Sequence, residues 1–315
     1  MNTGTAVALR PVDISGWAAG NTGTPYVTSL DSGRPGPHVV VNALTHGNEV
    51  CGAHALAFLF EHRLRPTRGR LTLSFANVDA YLRFDPARPA ASRFLDEDFN
   101  RLWSPAVLDG PRQSRELTRA RELRPLIESA DFLLDIHSMQ NPSPALMLCG
   151  LQAKGRRLAA AVGCPAFVVA DAGHPTGVRM RDYGAFADER SEKTALLVEC
   201  GQHWELPSRD VAIETTLRFL KALDVVDPDL LRPHLPTPPQ PQKLIEVTAA
   251  VAIASDRFAF SAEYTGLEVI PTAGTAIGHD GEQPVLTPYD NCVLIMPTRR
   301  LQRGQTAVRF GRFVA

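Results

Sequence analysis

Short apolar runs alternate with helical patterns through the first two thirds of the chain. The run 38–43 predicts a buried strand, and the spacing of apolar positions over 50–64 predicts a helix directly after it. The alternating run 70–77 and the run 131–137 predict two more strands, with a helix over 113–130 between them. Further strand-like runs lie at 145–149, 166–170 and 195–200, separated by helical patterns at 153–162 and 210–223. Strands separated by helices predict an α/β fold with a mainly parallel mixed sheet and helices on both faces.

The pattern changes after a proline-rich stretch. Residues 233–241 contain five prolines, which predicts a stiff linker. Beyond it, strand-like runs separated by Gly, Pro, Asp and Asn turns replace helical periodicity. The sequence therefore predicts an α/β domain over 1–235 and a small all-β domain over 242–315.

Composition gives no indication of a nucleic-acid or membrane partner, although a local basic patch would still be possible. The 315 residues contain 33 Lys and Arg against 34 Asp and Glu, with 44% hydrophobic and 21% charged residues. This balance is ordinary for a soluble globular protein and indicates no nucleic-acid or membrane partner. No apolar run approaches the roughly 18 residues of a membrane span, and residues 1–20 lack the pattern of a secretory signal. Five scattered cysteines without a CxxC pair are typical of free thiols, so we expect a cytoplasmic protein.

Three polar residues lie at the ends of two apolar strands. His46 and Glu49 lie between the first strand and its helix, and His137 ends the strand 131–137. Open α/β sheets place ligands at the carboxyl ends of their strands. Two imidazoles and a carboxylate are a common ligand set for catalytic zinc. Asp135, on the same strand face as His137, could hold that imidazole's tautomer. The competing interpretation is structural, with each histidine as a polar residue at a strand end.

A fourth polar group ends the apolar run 195–198. Glu199 is a carboxylate that is costly to bury without a partner, and a catalytic site would supply one. A salt bridge to Arg181 or Arg190 is the alternative. The long polar loop 78–105 adds Arg93, Asn100 and Arg101, which could clamp an acidic group or stabilise an oxyanion. The alternative for these loop arginines is a solvated surface charge.

Four ordered motifs carry a resemblance to a known family. They are His46-Gly47-Asn48-Glu49, Asp98-Phe99-Asn100-Arg101, Asp135-Ile136-His137-Ser138 and Val198-Glu199-Cys200-Gly201. In this order they resemble the succinylglutamate desuccinylase/aspartoacylase family of the zinc carboxypeptidase superfamily. The resemblance implies a zinc-dependent catalytic domain followed by a C-terminal β domain.

The resemblance also implies roles for individual residues. His46, Glu49 and His137 would bind one Zn2+ per chain, and Glu199 would be the general base and acid. Arg93 would polarise the scissile carbonyl. The substrate carboxylate would be held by Asn100 and Arg101, with Arg190 as the candidate for a further arginine that the family uses shortly before its catalytic glutamate.

The resulting hypothesis is a zinc-dependent hydrolase. It would cleave the amide bond of a small N-acyl amino acid by a metal-activated water with Glu199 as base. The sequence leaves open whether the protein forms a homo-oligomer. Residues 297–302 lack the tyrosine of the aspartoacylases proper, so N-acetylaspartate is not favoured as the substrate. A metallocarboxypeptidase acting on short peptides and a non-catalytic zinc- or ligand-binding protein remain alternatives, whereas the absence of a GxSxG motif disfavours a serine hydrolase.

Overall fold

A large mixed sheet organises the chain. The computed structural model describes residues 6–236 and 241–314. The strands are β1 Val27–Asp31, β2 His38–Ala43, β3 Arg70–Phe75, β4 Phe132–Met139, β5 Leu146–Leu148, β6 Phe167–Ala170, β7 Thr194–Gln202, β8 Lys243–Ala252, β9 Phe258–Phe260, β10 Val269–Ile270, β11 Ala276–Asp280, β12 Gln283–Leu286, β13 Cys292–Ile295 and β14 Thr306–Val314. The α-helices are α1 Cys51–Glu61, α2 Val78–Tyr81, α3 Pro105–Leu108, α4 Arg115–Ser129, α5 Ala153–Val162, α6 Leu206–Ala222 and α7 Pro228–Leu231.

The strand order brings distant segments together. The sheet runs β1-β3-β2-β4-β7-β5-β6-β8-β14-β13-β10, and β9, β11 and β12 form a separate antiparallel sheet. Strands β3, β2, β4 and β7 are parallel neighbours, so their carboxyl ends share one edge. β8 continues the same sheet beside β6, and β14, β13 and β10 extend it in antiparallel fashion. The predicted α/β class with C-terminal β structure is therefore confirmed.

The core follows from alternation along the buried strands. Val39 and Val41 of β2 pack in the cluster beneath α1 and α6, whereas Val40 packs in the opposite cluster with α4. A parallel strand buried on both faces needs such a continuous apolar run, because helices cover each side. The continuous apolar run of β2 therefore agrees with the helices found on both faces of the sheet.

Four of the C-terminal strands, β8, β14, β13 and β10, belong to the main sheet. Parallel pairing of β6 with β8 carries the sheet across the proline-rich stretch. Residues 237–240 of the predicted linker 233–241 lie outside the described residues. The division into 1–235 and 242–315 stays a prediction. Within the described ranges, none of the helices combines the length and apolar character that a membrane span needs.

A buried lysine fixes the loop that leads into β7. Lys154 of α5 is 8% exposed, and its ammonium has no carboxylate partner among the described residues. Instead, four backbone carbonyl oxygens lie 2.7–3.1 Å from Nζ and share its three N–H donors. They belong to Ala185, Asp188, Ser191 and Lys193. One side chain therefore closes the segment 185–193 against α5, immediately before the strand that carries Glu199.

We expect Lys154→Met to lower the free energy of unfolding by about 2–4 kcal/mol, because several carbonyls would lose their donor together. Urea unfolding followed by circular dichroism measures this change. The matched control is Arg157→Met on the exposed side of the same helix, which should change stability by less than about 0.5 kcal/mol. Equal stability of the two variants would contradict the role assigned to Lys154.

Candidate active site

The first pair of site residues lies in a strained, fully buried turn. β2 ends at Ala43, and Leu44 then adopts a left-handed conformation with φ of 62°. Non-glycine residues hold this conformation only where the surroundings enforce it. The Glu49 amide donates to the His46 carbonyl at 3.2 Å, which closes the turn before α1 begins. Both side chains consequently face the edge where β4 and β7 end.

Three buried side chains converge at this edge. The possible ligand atoms of His46, Glu49 and His137 all lie within 4.8 Å of one another. The Glu49 carboxylate lies between the two imidazoles, with Oε1 2.7 Å from His46 Nδ1 and Oε2 2.8 Å from His137 Nδ1. The second contact lacks hydrogen-bond alignment, and Oε2 has no hydrogen-bond partner among the described residues. The atoms face a common point, as the donors of a metal site do.

The outer nitrogens of both histidines are held by carboxylates. His137 Nε2 is 2.8 Å from Asp135 Oδ2, and His46 Nε2 is 2.9 Å from Asp98 Oδ1. Asn42 and Thr45 each donate to Asp135 Oδ1 at 2.8 Å, so that carboxylate is itself fixed. A carboxylate on Nε2 sets the tautomer that leaves Nδ1 free to bind a cation. The donor set therefore fits a divalent metal such as zinc.

Charge and burial oppose each other in this cluster. Burial alone would raise the pKa of Glu49, but His46 and His137 hold it well below the usual range. Burial would lower the pKa of His137, but Asp135 and Glu49 raise it well above normal. Carboxylates therefore remain charged at a site closed to water, which is stable only beside positive charge.

Glu199 lies beside these residues without a partner of its own. Its strand position pairs with His137 across β4 and β7. The side chain is 8% exposed, lines the cleft, and has an Oε2 atom without a hydrogen-bond partner in the described ranges. Burial, reinforced by the negative charge of Glu49, raises the pKa of Glu199 to about 8. A carboxylate with a pKa near neutrality is suited to accept and return a proton.

The alternative salt bridges for Glu199 are absent from the described residues. Arg181 pairs with Asp182 and donates to the Cys149 carbonyl. Arg190 is 91% exposed, pairs with Asp188, and does not line the cleft. The prediction that Arg190 contacts substrate is therefore not supported by its position. It lies on a surface turn, because the segment 185–193 is pinned by Lys154 with that side chain outward.

The loop residues reach the cleft from the opposite side. Arg93 donates to Asp98 Oδ2 at 3.1 Å and to Glu49 Oε1 at 3.4 Å. Its guanidinium therefore lies against the cluster of His46, Glu49 and His137, called the ligand cluster below. Asn100 is buried and accepts from the Met180 amide through Oδ1 at 2.9 Å. Arg101 donates to the Asn100 carbonyl at 2.7 Å and to Thr176 Oγ1 at 3.1 Å. All three line the cleft.

The cleft has a volume of about 210 Å³ and includes residues that the sequence did not single out. Arg179 lines it, held by Asp171 at 2.8 Å and by Asp182 at 2.5 Å. Arg309 of β14 and residues 295–298 enter from the C-terminal part. No periodicity marks these positions, since their role comes from strand order. Asp98 lay inside a recognised motif, but its contact with His46 required the folded loop.

Comparisons with known proteins agree with this geometry. A sequence model of the succinylglutamate desuccinylase/aspartoacylase catalytic domain matches residues 35–224. An N-acyl-aromatic-L-amino acid amidohydrolase (carboxylate-forming) from Rattus norvegicus is 29% identical over 116 residues, covering 34% of this chain and 35% of the relative. The protein of the same name from Mus musculus is 33% identical over 125 residues, covering 36% and 37%. The chain thus spans about a third of the length of these curated relatives.

Solved structures share the fold. The succinylglutamate desuccinylase from Vibrio cholerae superposes with a TM-score of 0.67 at 18% identity, covering 92% of this chain and 86% of that one. A succinylglutamate desuccinylase/aspartoacylase from Rhodobacter sphaeroides gives 0.65 at 19% identity, covering 92% and 89%.

The turn that carries His46 tolerates no side chain at Gly47. A Cβ there would lie 2.4–2.5 Å from backbone atoms of Ala80, Tyr81 and Ser92. We therefore expect Gly47→Ala to cost about 1–3 kcal/mol in urea unfolding. Gly16→Ala is the control, since a Cβ at Gly16 meets nothing within 4 Å. A Gly47→Ala variant as stable as the control would show that the packing here is not rigid.

Proposed function

The chain belongs to the succinylglutamate desuccinylase/aspartoacylase family, and we propose that it is a zinc-dependent hydrolase that cleaves the amide bond of a small N-acyl amino acid. One observation carries the proposal. A buried set of two imidazoles and a carboxylate lies beside Glu199, whose carboxylate has no other partner among the described residues. A purely structural ion site would not need a second buried carboxylate with a raised pKa.

In this proposal His46, Glu49 and His137 hold one Zn2+ per chain. When bound, zinc supplies Lewis acidity and makes water a better nucleophile near neutral pH. Glu199 accepts the proton of the attacking water and delivers it to the leaving amine. The acyl C–N bond breaks, and the products are a carboxylate and an amino acid.

The arginines position the substrate and stabilise charge. Arg93, fixed by Asp98, offers its guanidinium to the oxygen that becomes negative when the carbonyl is attacked. Asn100 and Arg101 hold the substrate carboxylate, with Arg101 oriented by Thr176. The Asn100 side chain is held by the Met180 amide, which donates to its Oδ1, so this side chain is already fixed before substrate arrives.

The size of the cleft favours small substrates over peptides. Residues 295–298 and Arg309 line it opposite the ligand cluster, and its volume is about 210 Å³. A long peptide would need an open groove beyond that wall. The proposal also includes a cytoplasmic location, supported by five cysteines that are all free and buried. The substrate is a small molecule, and neither nucleic acid nor a membrane is proposed as a partner.

Turnover should depend on the metal and on Glu199 separately. We expect a chelator to abolish hydrolysis of N-acyl amino acids and added Zn2+ to restore it. Glu199→Gln should retain zinc but lower kcat by roughly 10²–10⁴-fold, because the amide cannot accept the proton. Metal content and kcat are measured on the same samples, with exposed Glu205→Gln as the control. Zinc binding without hydrolysis of any acyl amino acid or short peptide would refute the enzyme assignment.

Zinc affinity should depend on the carboxylate behind His137. In Asp135→Asn, an amide replaces the charged acceptor at 2.8 Å from Nε2, so the imidazole becomes a weaker ligand. We expect zinc affinity to fall by about 10–100-fold in competition titrations with a fluorescent chelator. Asp79→Asn, on the exposed side of α2, is the control and should bind zinc as the wild type does. Unchanged affinity in Asp135→Asn would mean that the cation is held elsewhere.

A further inference from the structure

Four arginines line one small cleft, and they differ in how their charge is balanced. Arg93 is paired with Asp98 and Glu49, and Arg179 is paired with Asp171 and Asp182. Among the described residues, the side chain of Arg101 donates to one hydroxyl and one backbone carbonyl. The remaining one, Arg309, has neither an ion pair nor a side-chain hydrogen bond with any residue in the ranges 6–236 and 241–314. Within the described ranges, neither Arg101 nor Arg309 thus forms an ion pair with a carboxylate.

The position of Arg309 in the sheet makes this lack of a partner costly. Arg309 lies directly opposite Ile295 in the pairing of β13 with β14, so both side chains project from the same face. Ile295 packs there against Leu148, Val169 and Leu197. An arginine on an apolar strand face is unfavourable unless something pairs with it.

Protection of a sheet edge does not explain this residue. Inward-pointing charges can prevent exposed edge strands from pairing with other chains. β14, however, lies between β8 and β13 and has a partner on each side. Edge protection therefore does not account for Arg309, and its guanidinium lines the cleft instead.

The local electrostatics agree with an excess of positive charge. Burial lowers the pKa of Arg101, and Arg93, Arg179 and Arg309 act in the same direction against the opposing charge of Asp98. Burial also lowers the pKa of Arg309, with Arg179 in the same direction and Asp171 and Glu199 opposing it. Burial together with Arg101, Arg309 and Arg179 lowers the pKa of His174 to about 3, so its imidazole adds no charge. A bound anion would relieve this repulsion.

Resting on the function proposed above, we propose that Arg309 is a second carboxylate-binding residue of the cleft, which acts with Arg101 to select acyl amino acids by their negative charge. Its guanidinium contributes a planar fork of N–H donors that fits a carboxylate. β14 is separated from β7 by β5, β6 and β8, yet Arg309 and Glu199 line the same cleft. Arg309 is a positioning residue and takes no part in proton transfer.

The decisive measurement compares charged and neutralised substrates. Arg309→Met should raise KM for N-acyl amino acids by roughly 10–100-fold with kcat largely retained, as for loss of a hydrogen bond to a charged group. With the methyl esters of the same substrates, variant and wild type should have similar KM values. Arg309→Lys should recover part of the affinity, since it keeps the charge without the fork. Exposed Arg303→Met, from the turn before β14, is the matched control.

Comparing substrates that have one carboxylate with substrates that have two shows which carboxylate Arg309 binds. A KM penalty confined to those with two carboxylates assigns Arg309 to the second group. An equal penalty for both assigns it to the carboxylate that Arg101 holds. Either result supports the proposal, whereas an unchanged KM for every carboxylate substrate in Arg309→Met overturns it.

A binding measurement separates this proposal from the enzyme assignment. Sodium sulfate, titrated at constant ionic strength into metal-free protein, should raise the Tm of the wild type and raise that of Arg309→Met much less. Without sulfate, Arg309→Met should be at least as stable as the wild type, because an unpaired charge has been removed. A lower Tm without sulfate in both Arg309→Met and Arg309→Lys would indicate a structural role instead. If the wild type binds sulfate through Arg309 but hydrolyses no substrate, the proposed function fails and the anion subsite stands.

Discussion

The Glu49 carboxylate, buried between two imidazoles, is the constraint on which the site depends. Its oxygens are 2.7 and 2.8 Å from His46 and His137, and water does not reach it. A carboxylate in such a place stays charged only if positive groups surround it. Asp135 and Asp98 then orient the imidazoles from behind, so that each group in the cluster fixes the next. The three side chains therefore hold one another in fixed positions.

Parallel pairing of β2, β4 and β7 makes this arrangement possible. In a parallel sheet the carboxyl ends of neighbouring strands meet at one edge, and a ligand can contact loops from each of them. β2 leads to His46 and Glu49, β4 carries His137, and β7 carries Glu199 in register with it. Apolar strands buried on both faces hold the register, because a slip of one residue would turn every side chain over. The packed core therefore keeps the site side chains in fixed positions at the carboxyl ends of these strands.

The C-terminal strands give the cleft its opposite wall and part of its charge. They extend the main sheet through β8 and bring Ile295 and Arg309 towards the edge that holds Glu199. In the function proposed above, His46, Glu49 and His137 supply the reactive centre. In the same proposal, the apolar Ile295 and the cationic Arg309 limit the size and charge of the molecule that can enter the cleft.

The sequence by itself determined the α/β class, the family and the candidates His46, Glu49, His137 and Glu199. Each of these follows an apolar run, and periodicity marks where such runs end. It did not determine the position of Arg190, which points to solvent, or the roles of Asp98, Arg179 and Arg309. These depend on loop conformation and on the pairing of strands far apart in the chain, which local hydrophobic patterns do not encode. Only the tertiary structure decided which arginines meet in the cleft, because strand order and register set their separation.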